Sequence, residues 1–245
     1  MARSAQVPSA GPGSQRPYRA VVTDVDGTLT DRRRRIDPHA VRAVRALEDR
    51  GIPVVLATGN VLPIALALWR SLGLSGPIVA ENGGIVYDAG ENGDGRVERL
   101  ADRRVALRAY RTLLRSGIPV RRLFTDRWRE SEVALEPTVP VARLARVLRG
   151  QPVTVESTGF ALHLMERGAG KLPALRHALG RRGLALEECV VLGDGDTDVA
   201  MLRAAGFGIS FASGSPRARR AARYVTRAGF AGGFVEGLKA SKMLG

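Results

Sequence analysis

Two short acidic stretches are the residues of this sequence best suited to chemistry. The first is Asp24-Val25-Asp26-Gly27-Thr28 and the second is GDGDTD at residues 193–198, and together they hold five of the twelve aspartates. Each directly follows a short apolar run. Carboxylates that are brought together repel one another unless a cation neutralises them, and hard oxygen ligands of this kind favour Mg²⁺. The two stretches therefore predict a divalent-cation site if the fold brings them to one place.

Turn formation is the competing interpretation of each stretch, because Asp and Gly also form turns and cap helices. Two such stretches at equivalent positions after apolar runs favour a site over two unrelated turns. A calcium-binding loop does not fit the second stretch, because its acidic ladder stops at Asp198 and no Glu stands at the twelfth position.

A hydroxyl-bearing loop and an isolated lysine complete the set of candidates. Thr58, Gly59 and Asn60 follow a third apolar run and precede a predicted helix, where a hydroxyl and free amides can bind an anion; an ordinary helix N-cap is the alternative. Lys171 is the only lysine outside the last seven residues in a chain with 35 Arg and three Lys. A compact ammonium is therefore favoured there for a specific task, and a solvated lysine at a helix start is the alternative.

Two familiar phosphate-binding loops are excluded. GAGKL does not form a P-loop, because Met165 stands where that motif needs Gly and Leu172 stands where it needs Ser or Thr. GDGDTD fails the dinucleotide-binding pattern, because Asp198 occupies its third glycine position.

The elements that must position these residues follow an α/β pattern, in which short β-branched runs alternate with longer helical stretches. Strands are predicted at residues 20–23, 53–57, 78–80, 189–192 and 207–211. Helices are predicted at residues 38–50, 62–72, 171–182, 199–205, 215–222 and 234–242. Ligands bind outside the carboxyl ends of parallel strands, so both acidic stretches should face one crevice.

The middle of the chain follows a different pattern, with a Gly-rich turn at residues 89–95 and hairpin-like connections. Its strands are predicted near residues 132–135, 153–157 and 161–165, and its helices near 102–115 and 141–149. This order is typical of an α+β insert with an antiparallel sheet. We predict an α/β fold with a Rossmann-like parallel-sheet core at residues 18–86 and 168–245, an α+β insert at 87–167, and a flexible leader at 1–17.

The excess of basic residues raises the question of a nucleic-acid partner. The formal net charge is +14 and the isoelectric point is near 11.3. Residues 88–168 carry only +4 of it, so most of the excess lies on the core and the tails. Only 5% of the residues are aromatic, and no recognised binding motif accompanies the charge. We therefore do not predict a specific nucleic-acid partner. A basic nucleic-acid-binding protein is kept as the alternative hypothesis from a different class of function.

Membrane association and disulfide bonding are not predicted either. No apolar stretch approaches the roughly 18 residues needed to span a bilayer, and residues 1–17 lack the apolar core of a signal peptide. The single cysteine, Cys189, excludes intrachain disulfides and a thiolate metal cluster. We expect a cytoplasmic protein.

In this order, the four motifs resemble those of the haloacid dehalogenase (HAD) superfamily of phosphotransferases: DxD after the first strand, Thr or Ser after the second, a Lys, and a GD pair with a further Asp. The insert resembles the α+β cap of the Cof-like branch. The stretches TGNVLPIALAL, SGPIVAENGGIVYD and STGFALHLM resemble archaeal-type phosphoglycolate phosphatases. The resemblance implies the HAD fold and a Mg²⁺-dependent phosphatase for a small anionic phosphate ester, with 2-phosphoglycolate as the first expectation. A sugar-phosphate phosphatase or phosphomutase is the alternative, and the chain is expected to be a monomer or homodimer.

The resemblance also implies catalytic roles. It assigns Asp24 as the nucleophile that forms an aspartyl-phosphate, and Asp26 as the general acid and base. Thr58 would hold a phosphoryl oxygen with its hydroxyl, helped by the amide of Gly59. Lys171 would neutralise charge on Asp24 and the phosphoryl group.

For the metal, the resemblance implies Asp24, the backbone carbonyl of Asp26, and Asp194. Asp198 would be a further ligand or would orient the lysine. Many relatives carry Asn immediately before this last Asp, where Thr197 stands here. Asp196 lies outside the pattern and is predicted to cap the following helix.

Two further segments are candidates for substrate contact. Glu81-Asn82-Gly83-Gly84 lies where the core passes into the insert, and a plain turn is an equally open interpretation. Residues 127–130 (Arg127, Trp128, Arg129 and Glu130) are candidates for contacts to a substrate carboxylate. The three histidines have no Cys or His partner at ligand spacing and are predicted to be structural.

Overall fold

The computed structural model describes residues 18–90 and 95–244. The predicted leader at 1–17 and part of the predicted Gly-rich turn lie outside these residues.

The described chain alternates strands and helices. The strands are β1 (Ala20–Thr23), β2 (Val54–Ala57), β3 (Ile78–Ala80), β4 (Ile85–Asp88), β5 (Arg96–Arg99), β6 (Val133–Leu135), β7 (Val153–Ser157), β8 (Leu162–Glu166), β9 (Cys189–Leu192), β10 (Phe207–Ser210) and β11 (Tyr224–Val225). The helices are α1 (Pro38–Glu48), α2 (Leu62–Leu72), α3 (Arg103–Arg115), α4 (Val141–Val147), α5 (Lys171–Gly180), α6 (Val199–Ala204), α7 (Pro216–Ala221) and α8 (Phe230–Ala240). None of these helices combines the length and the apolar character needed to cross a membrane.

The larger sheet has the strand order β11-β10-β9-β1-β2-β3-β4-β5. The strands from β11 to β3 run parallel, and β4 and β5 are added antiparallel at one edge. Helices cover both faces of the parallel part, which explains why its strands are continuous apolar runs rather than alternating patterns. The central strand β1 lies between β2 and β9, so the carboxyl ends of these three strands share one edge. The predicted α/β fold class is confirmed.

Successive residues of β1 point to opposite faces of the sheet, so they belong to two separate apolar layers. Val21 belongs to the layer that contains Leu47 of α1 and Phe234 of α8. Val22 belongs to the layer that contains Leu175 of α5 and other residues of α5 and α6. Both β1 residues are fully buried. The central strand is thus fixed from both sides, and so is the position of the residue that follows it.

The smaller sheet is antiparallel, in the order β6-β8-β7, and lies between residues 133 and 166. Helices α3 and α4 pack on it through a third apolar layer that includes Leu113, Leu144 and Leu164. The strands and helices predicted for the insert correspond to these elements within a few residues.

The β4–β5 hairpin departs from the predicted division of the chain. Ile85 pairs with Arg99 and Val86 pairs with Glu98, so the hairpin continues the larger sheet as far as Arg99. The boundary predicted at residue 87 therefore falls inside β4. The strand β5 reads RVER and carries a single apolar residue, so its sequence gives no periodic signal.

The last helix begins earlier than predicted, at Phe230 rather than at residue 234. Gly232 and Gly233 lie in its first turn, and a Gly pair in sequence indicates a turn rather than a helix. Gly233 is required by packing, because a Cβ there would lie 2.6 Å from the backbone oxygen of Ala228.

The chain passes from β3 to β4 through a tight turn at Glu81–Gly83 with unusual backbone angles. Glu81, Asn82 and Gly83 all have positive φ values, of 49°, 53° and 103°. A Cβ on Gly83 would lie 2.1 Å from the backbone oxygen of Gly170. Only glycine fits this contact, which places the turn against the start of α5 and thus next to Lys171.

We expect Gly83→Ala to lower the free energy of unfolding by about 3 kcal/mol or more, because strain at positive φ adds to a backbone clash. Gly117→Ala is the matched control. Gly117 has a φ of 69° and open space where its Cβ would lie, so only the backbone cost of about 1–2 kcal/mol applies. Urea unfolding followed by circular dichroism compares the two variants, and equal losses would contradict the importance of the Gly170 contact.

Candidate active site

The carboxyl ends of β1, β2 and β9 bring the candidate residues to one edge of the larger sheet. Asp24 follows β1, and its amide donates to the backbone oxygen of Leu192 at the end of β9 (3.0 Å). Thr58 follows β2, and its amide donates to the backbone oxygen of Val79 (2.8 Å). Asp194 follows β9 after a single glycine. Residues far apart in sequence therefore meet because three strand ends are adjacent.

Lys171 lies buried between two carboxylates at the first position of α5. Its Nζ donates to Oδ1 of Asp24 (2.6 Å) and to Oδ1 of Asp198 (2.7 Å), and its side chain is 2% exposed. Burial alone would lower the pKa of Lys171, but the charges of Asp198 and Asp24 outweigh burial and raise this pKa above its ordinary value. The lysine is therefore a fixed positive charge, and the alternative of a solvated helix-start lysine is wrong.

Asp198 organises its own loop as well as the lysine. Its Oδ2 accepts the backbone amides of Asp194 (3.0 Å) and Gly195 (2.9 Å). A Cβ on Gly193 would lie 2.7 Å from the Asp198 carboxylate. Both carboxylate oxygens of Asp198 thus have donors from the protein, which holds the loop after β9 in place.

Asp24, Asp194 and Asp198 form a compact acidic cluster, with one oxygen of each carboxylate within 4.8 Å of the others. Burial, and then the charges of neighbouring aspartates, raise the pKa of Asp194 to about 7. Burial is also the main cause that raises the pKa of Asp24 well above its ordinary value, against the opposing charge of Lys171. One ammonium does not neutralise three crowded carboxylates, so this all-oxygen donor set fits a hard divalent cation.

The first acidic loop lies directly against Asp194. Thr28 Oγ1 donates to Asp194 Oδ1 (3.2 Å). Gly27 has a φ of 84°, and a Cβ there would lie 2.3 Å from Asp194 Oδ2. The glycine of the Asp24–Thr28 stretch is therefore needed both for its backbone angle and for this close approach.

Asp26 faces the loop after β2 rather than the three-carboxylate cluster. Asn60 Nδ2 donates to Asp26 Oδ2 (2.7 Å) and to Thr58 Oγ1 (3.3 Å). The backbone amide of Asn60 also donates to Thr58 Oγ1 (3.1 Å). Asn60 thus links Asp26 to Thr58, so the carboxylate and the hydroxyl keep a fixed relation to each other.

Asp196 is placed outside the cluster. It accepts hydrogen bonds from Ser215 Oγ (2.5 Å) and Arg217 (3.2 Å) at the start of α7, and its side chain is 40% exposed. The predicted cap on the following helix is wrong, because the residue before α6 is Asp198 and Asp196 points to α7 instead.

A buried polar network connects the insert to the loop after β2. Glu132 accepts hydrogen bonds from Asn82 Nδ2 (3.2 Å), from Arg129 Nη1, and, when Nδ1 carries the proton, from His163 (2.9 Å). Arg129 Nη1 also donates to the backbone oxygen of Gly59 (3.0 Å). Burial would raise the pKa of Glu132, but the charges of His163 and Arg129 lower it overall, so Glu132 stays ionised. The sequence marked Arg129 and Asn82 only as separate candidates for substrate contact. It gave no signal that Glu132 and His163 lie with them, because the spacing of these polar residues follows no pattern of a known site.

The turn at Glu81–Gly83 is also bound to the insert. The Glu81 carboxylate accepts the amides of Glu130 (3.0 Å) and Ser131 (2.9 Å) and the hydroxyl of Ser131 (2.6 Å). A Cβ on Gly84 would lie 1.9 Å from Ser131 Oγ. Both Glu81 and Asn82 therefore use their side chains to hold the insert, which supports the turn interpretation of this segment.

Comparison with known proteins agrees with this geometry. The family model of the haloacid dehalogenase-like hydrolases matches residues 21–121 and 141–238. A phosphoglycolate phosphatase from Methanothermobacter thermautotrophicus is 38% identical over 221 residues, a match that covers 90% of this chain and 97% of that protein. Among solved structures, Thermoplasma acidophilum 0175 has a TM-score of 0.82 at 27% identity, covering 93% of this chain and 99% of that one. A HAD subclass IIB sugar phosphatase shares the fold at 18% identity, with a TM-score of 0.74 over 92% of this chain and 100% of that one. The chain therefore belongs to the haloacid dehalogenase-like hydrolases, as its four motifs predicted.

Proposed function

We propose that this protein is a Mg²⁺-dependent phosphatase that hydrolyses 2-phosphoglycolate to glycolate and phosphate. The observation that carries the proposal is the buried Lys171, which holds one oxygen of Asp24 beside the Thr58–Asn60 loop. Relatives named phosphoglycolate phosphatase, 38% identical over nearly their whole length, support the choice of substrate.

Asp24 is the nucleophile in this proposal. Lys171 binds its Oδ1, and among the described residues no donor occupies its Oδ2, which is then available to attack phosphorus. Attack forms the Oδ2–P bond of an aspartyl-phosphate and breaks the bond from phosphorus to the ester oxygen. Water then attacks phosphorus, which releases phosphate and restores the carboxylate.

Asp26 is the general acid and base. Its link through Asn60 to Thr58 keeps it beside the group that binds the phosphoryl oxygen, where it can protonate the departing alkoxide. The resulting carboxylate then accepts a proton from the attacking water. Asp26 is thereby returned to its protonated form for the next substrate.

Thr58, the amide of Gly59, and Lys171 bind the phosphoryl oxygens. A hydroxyl and a backbone amide supply oriented donors, and the ammonium supplies full charge at a crowded position where a planar guanidinium would not fit well. Asn60 positions the Thr58 hydroxyl through two hydrogen bonds.

Asp24, Asp194 and the backbone carbonyl of Asp26 would hold Mg²⁺, with Asp198 as a further contributor to the site. Asp198 already accepts hydrogen bonds from three protein donors. It therefore contributes mainly by orienting Lys171 and the loop after β9. When bound, the ion screens the approach of the Asp24 carboxylate to the phosphate dianion.

The insert at residues 87–167 acts as a cap on a catalytic core of residues 18–86 and 168–245, with β5 of the insert sharing the core sheet. Its Arg129 contacts Gly59, and its β7 packs beside residues 196–198. The cap therefore covers the edge of the sheet that holds the candidate residues, a position from which it can exclude water during transfer.

The substrate assignment predicts that 2-phosphoglycolate is turned over with a kcat/KM about 100-fold or more above that of hexose phosphates, because the cap closes over a small ester. A panel of phosphate esters at fixed Mg²⁺, read by phosphate release, measures the ratio. Equal or better turnover of hexose phosphates would instead favour a sugar-phosphate phosphatase, and interconversion of sugar phosphates would favour a phosphomutase.

Asp24→Asn is expected to lower phosphatase activity by about 10⁴-fold or more while the protein stays folded, because an amide cannot form the phosphoryl-enzyme. Asp196→Asn is the matched control, since this aspartate lies in the second acidic stretch but outside the cluster, and its activity should change by less than about 3-fold. Activity assays and circular dichroism test both variants. Retained turnover in Asp24→Asn would contradict the assignment of the nucleophile.

Saturating Mg²⁺ is expected to raise the melting temperature of the metal-free protein by about 5 °C or more, because an ion that binds the folded state stabilises it by mass action. Asp194→Asn should lose this rise, and Asp196→Asn should keep it. Because the crowded carboxylates repel one another, metal-free Asp194→Asn should melt no lower than the metal-free wild type. A full Mg²⁺-induced rise in Asp194→Asn would place the ion elsewhere.

A further inference from the structure

We infer that Arg129 binds the carboxylate of the substrate and so selects 2-phosphoglycolate among small phosphate esters. This inference rests on the proposed function. Arg129 is one of the four residues at 127–130 that the sequence offers as candidates for contact with a substrate carboxylate.

Arg129 lies where the cap meets the phosphate-binding loop. Its Nη1 donates to the backbone oxygen of Gly59 (3.0 Å), the residue next to Thr58, and its side chain is 2% exposed. In 2-phosphoglycolate a single methylene separates the ester oxygen from the carboxylate. A substrate whose phosphorus lies between Asp24 and Thr58 therefore extends its carboxylate only a short distance, toward a group that borders this same loop.

The Nε donor of the Arg129 guanidinium is unused. Nε of Arg129 is buried and has no hydrogen-bond partner in the part of the chain that the structure describes. A buried donor without a partner is costly, so its persistence indicates a partner that arrives with a ligand. A guanidinium binds a carboxylate through parallel N–H groups, and Nε belongs to one of the edges that do so.

Glu132 holds the Arg129 guanidinium through Nη1 and leaves its Nε available. This buried carboxylate is shared by Arg129 Nη1, Asn82 Nδ2 and, with its Nδ1 protonated, His163. The Asn82 and His163 contacts satisfy much of its demand for donors. Arg129 is therefore held in one orientation through Nη1, and a substrate carboxylate can bind at Nε while the contact to Glu132 stays in place.

The other residues at 127–130 do not reach the core in this way. Arg127 stacks on Phe124, with its guanidinium carbon 4.3 Å from the ring centroid, and Trp128 is 46% exposed. Glu130 accepts a hydrogen bond from Arg99 (2.6 Å) at the surface. Arg127 thus offers a control with the same charge, on the same segment, and without the contact to the phosphate-binding loop.

The experiment measures kcat/KM for 2-phosphoglycolate and for ethyl phosphate, which has the same chain length but no carboxylate. For Arg129→Met we expect a loss of about 30- to 100-fold on 2-phosphoglycolate, the size of one lost charged hydrogen-bonding contact, and a loss below about 3-fold on ethyl phosphate. Arg129→Lys should lower kcat/KM for 2-phosphoglycolate by an intermediate factor, because lysine keeps the positive charge but lacks the parallel N–H groups of a guanidinium. Arg127→Met should leave both values unchanged. Inhibition by inorganic phosphate should also be unchanged in Arg129→Met.

The double variant Arg129→Met/Glu132→Gln guards against misfolding, because it removes both members of the buried pair and leaves no uncompensated carboxylate. Loss of the preference for 2-phosphoglycolate in either folded variant supports the inference. If the wild type prefers 2-phosphoglycolate and both variants keep that preference, or lose activity equally on both esters, the inference is overturned while the proposed function stands. If the wild type shows no preference for 2-phosphoglycolate over ethyl phosphate, the proposed substrate fails and the inference fails with it.

Discussion

The pairing of the Lys171 ammonium with Asp24 and Asp198 is the interaction on which the rest of the structure depends. Lys171, Asp24 and Asp198 are buried at the edge of the sheet, and the third carboxylate, Asp194, is partly buried. Such burial is tolerated only where the charged groups find one another with good geometry, because each ion loses its hydration. The fold meets this requirement by ending adjacent parallel strands at one edge and by starting α5 at the same place.

Glycines make this arrangement possible at atomic distances. A side chain at Gly27 would strike Asp194, one at Gly193 would strike Asp198, and one at Gly83 would strike the backbone that precedes Lys171. In each case two parts of the chain approach so closely that a Cβ at the glycine would not fit between them. The charged cluster and the glycines around it are therefore one structural unit, in which a side chain at any of these glycines would displace a charged group or the backbone beside it. Close packing of this kind suits the proposed reaction, in which a nucleophile and a phosphoryl group must be held in a fixed relation.

The part of this unit that could be predicted from the sequence is the part carried by local patterns. Short apolar runs followed by aspartates predicted both the parallel sheet and the edge where the acidic residues meet, and Lys171 was distinguished by an otherwise Arg-rich composition. The β4–β5 hairpin was not predicted, because β5 has one apolar residue and its pairing is decided by tertiary contacts. Arg129 was a candidate for substrate contact from the sequence, but its network with Glu132 and His163 was not predicted, because no spacing in the sequence marks these three polar residues as neighbours.

The charge of the site also supports the proposal that a cation from the cap binds the substrate carboxylate. A phosphate ester that also carries a carboxylate is strongly anionic, and it approaches a cluster that already holds three aspartates. The Arg-rich surface can attract such a substrate over a distance, but at contact range the attraction must come from groups inside the site, because surface charges are screened by salt. Lys171 and a bound divalent cation serve the phosphoryl end in the proposed reaction, and they are already engaged by aspartates. The carboxylate end therefore requires a separate cation that lies close to the phosphate-binding loop and is not consumed by the acidic cluster. Arg129 meets both conditions, because it contacts Gly59 from the inserted residues and pairs with Glu132 rather than with the aspartates of the acidic cluster.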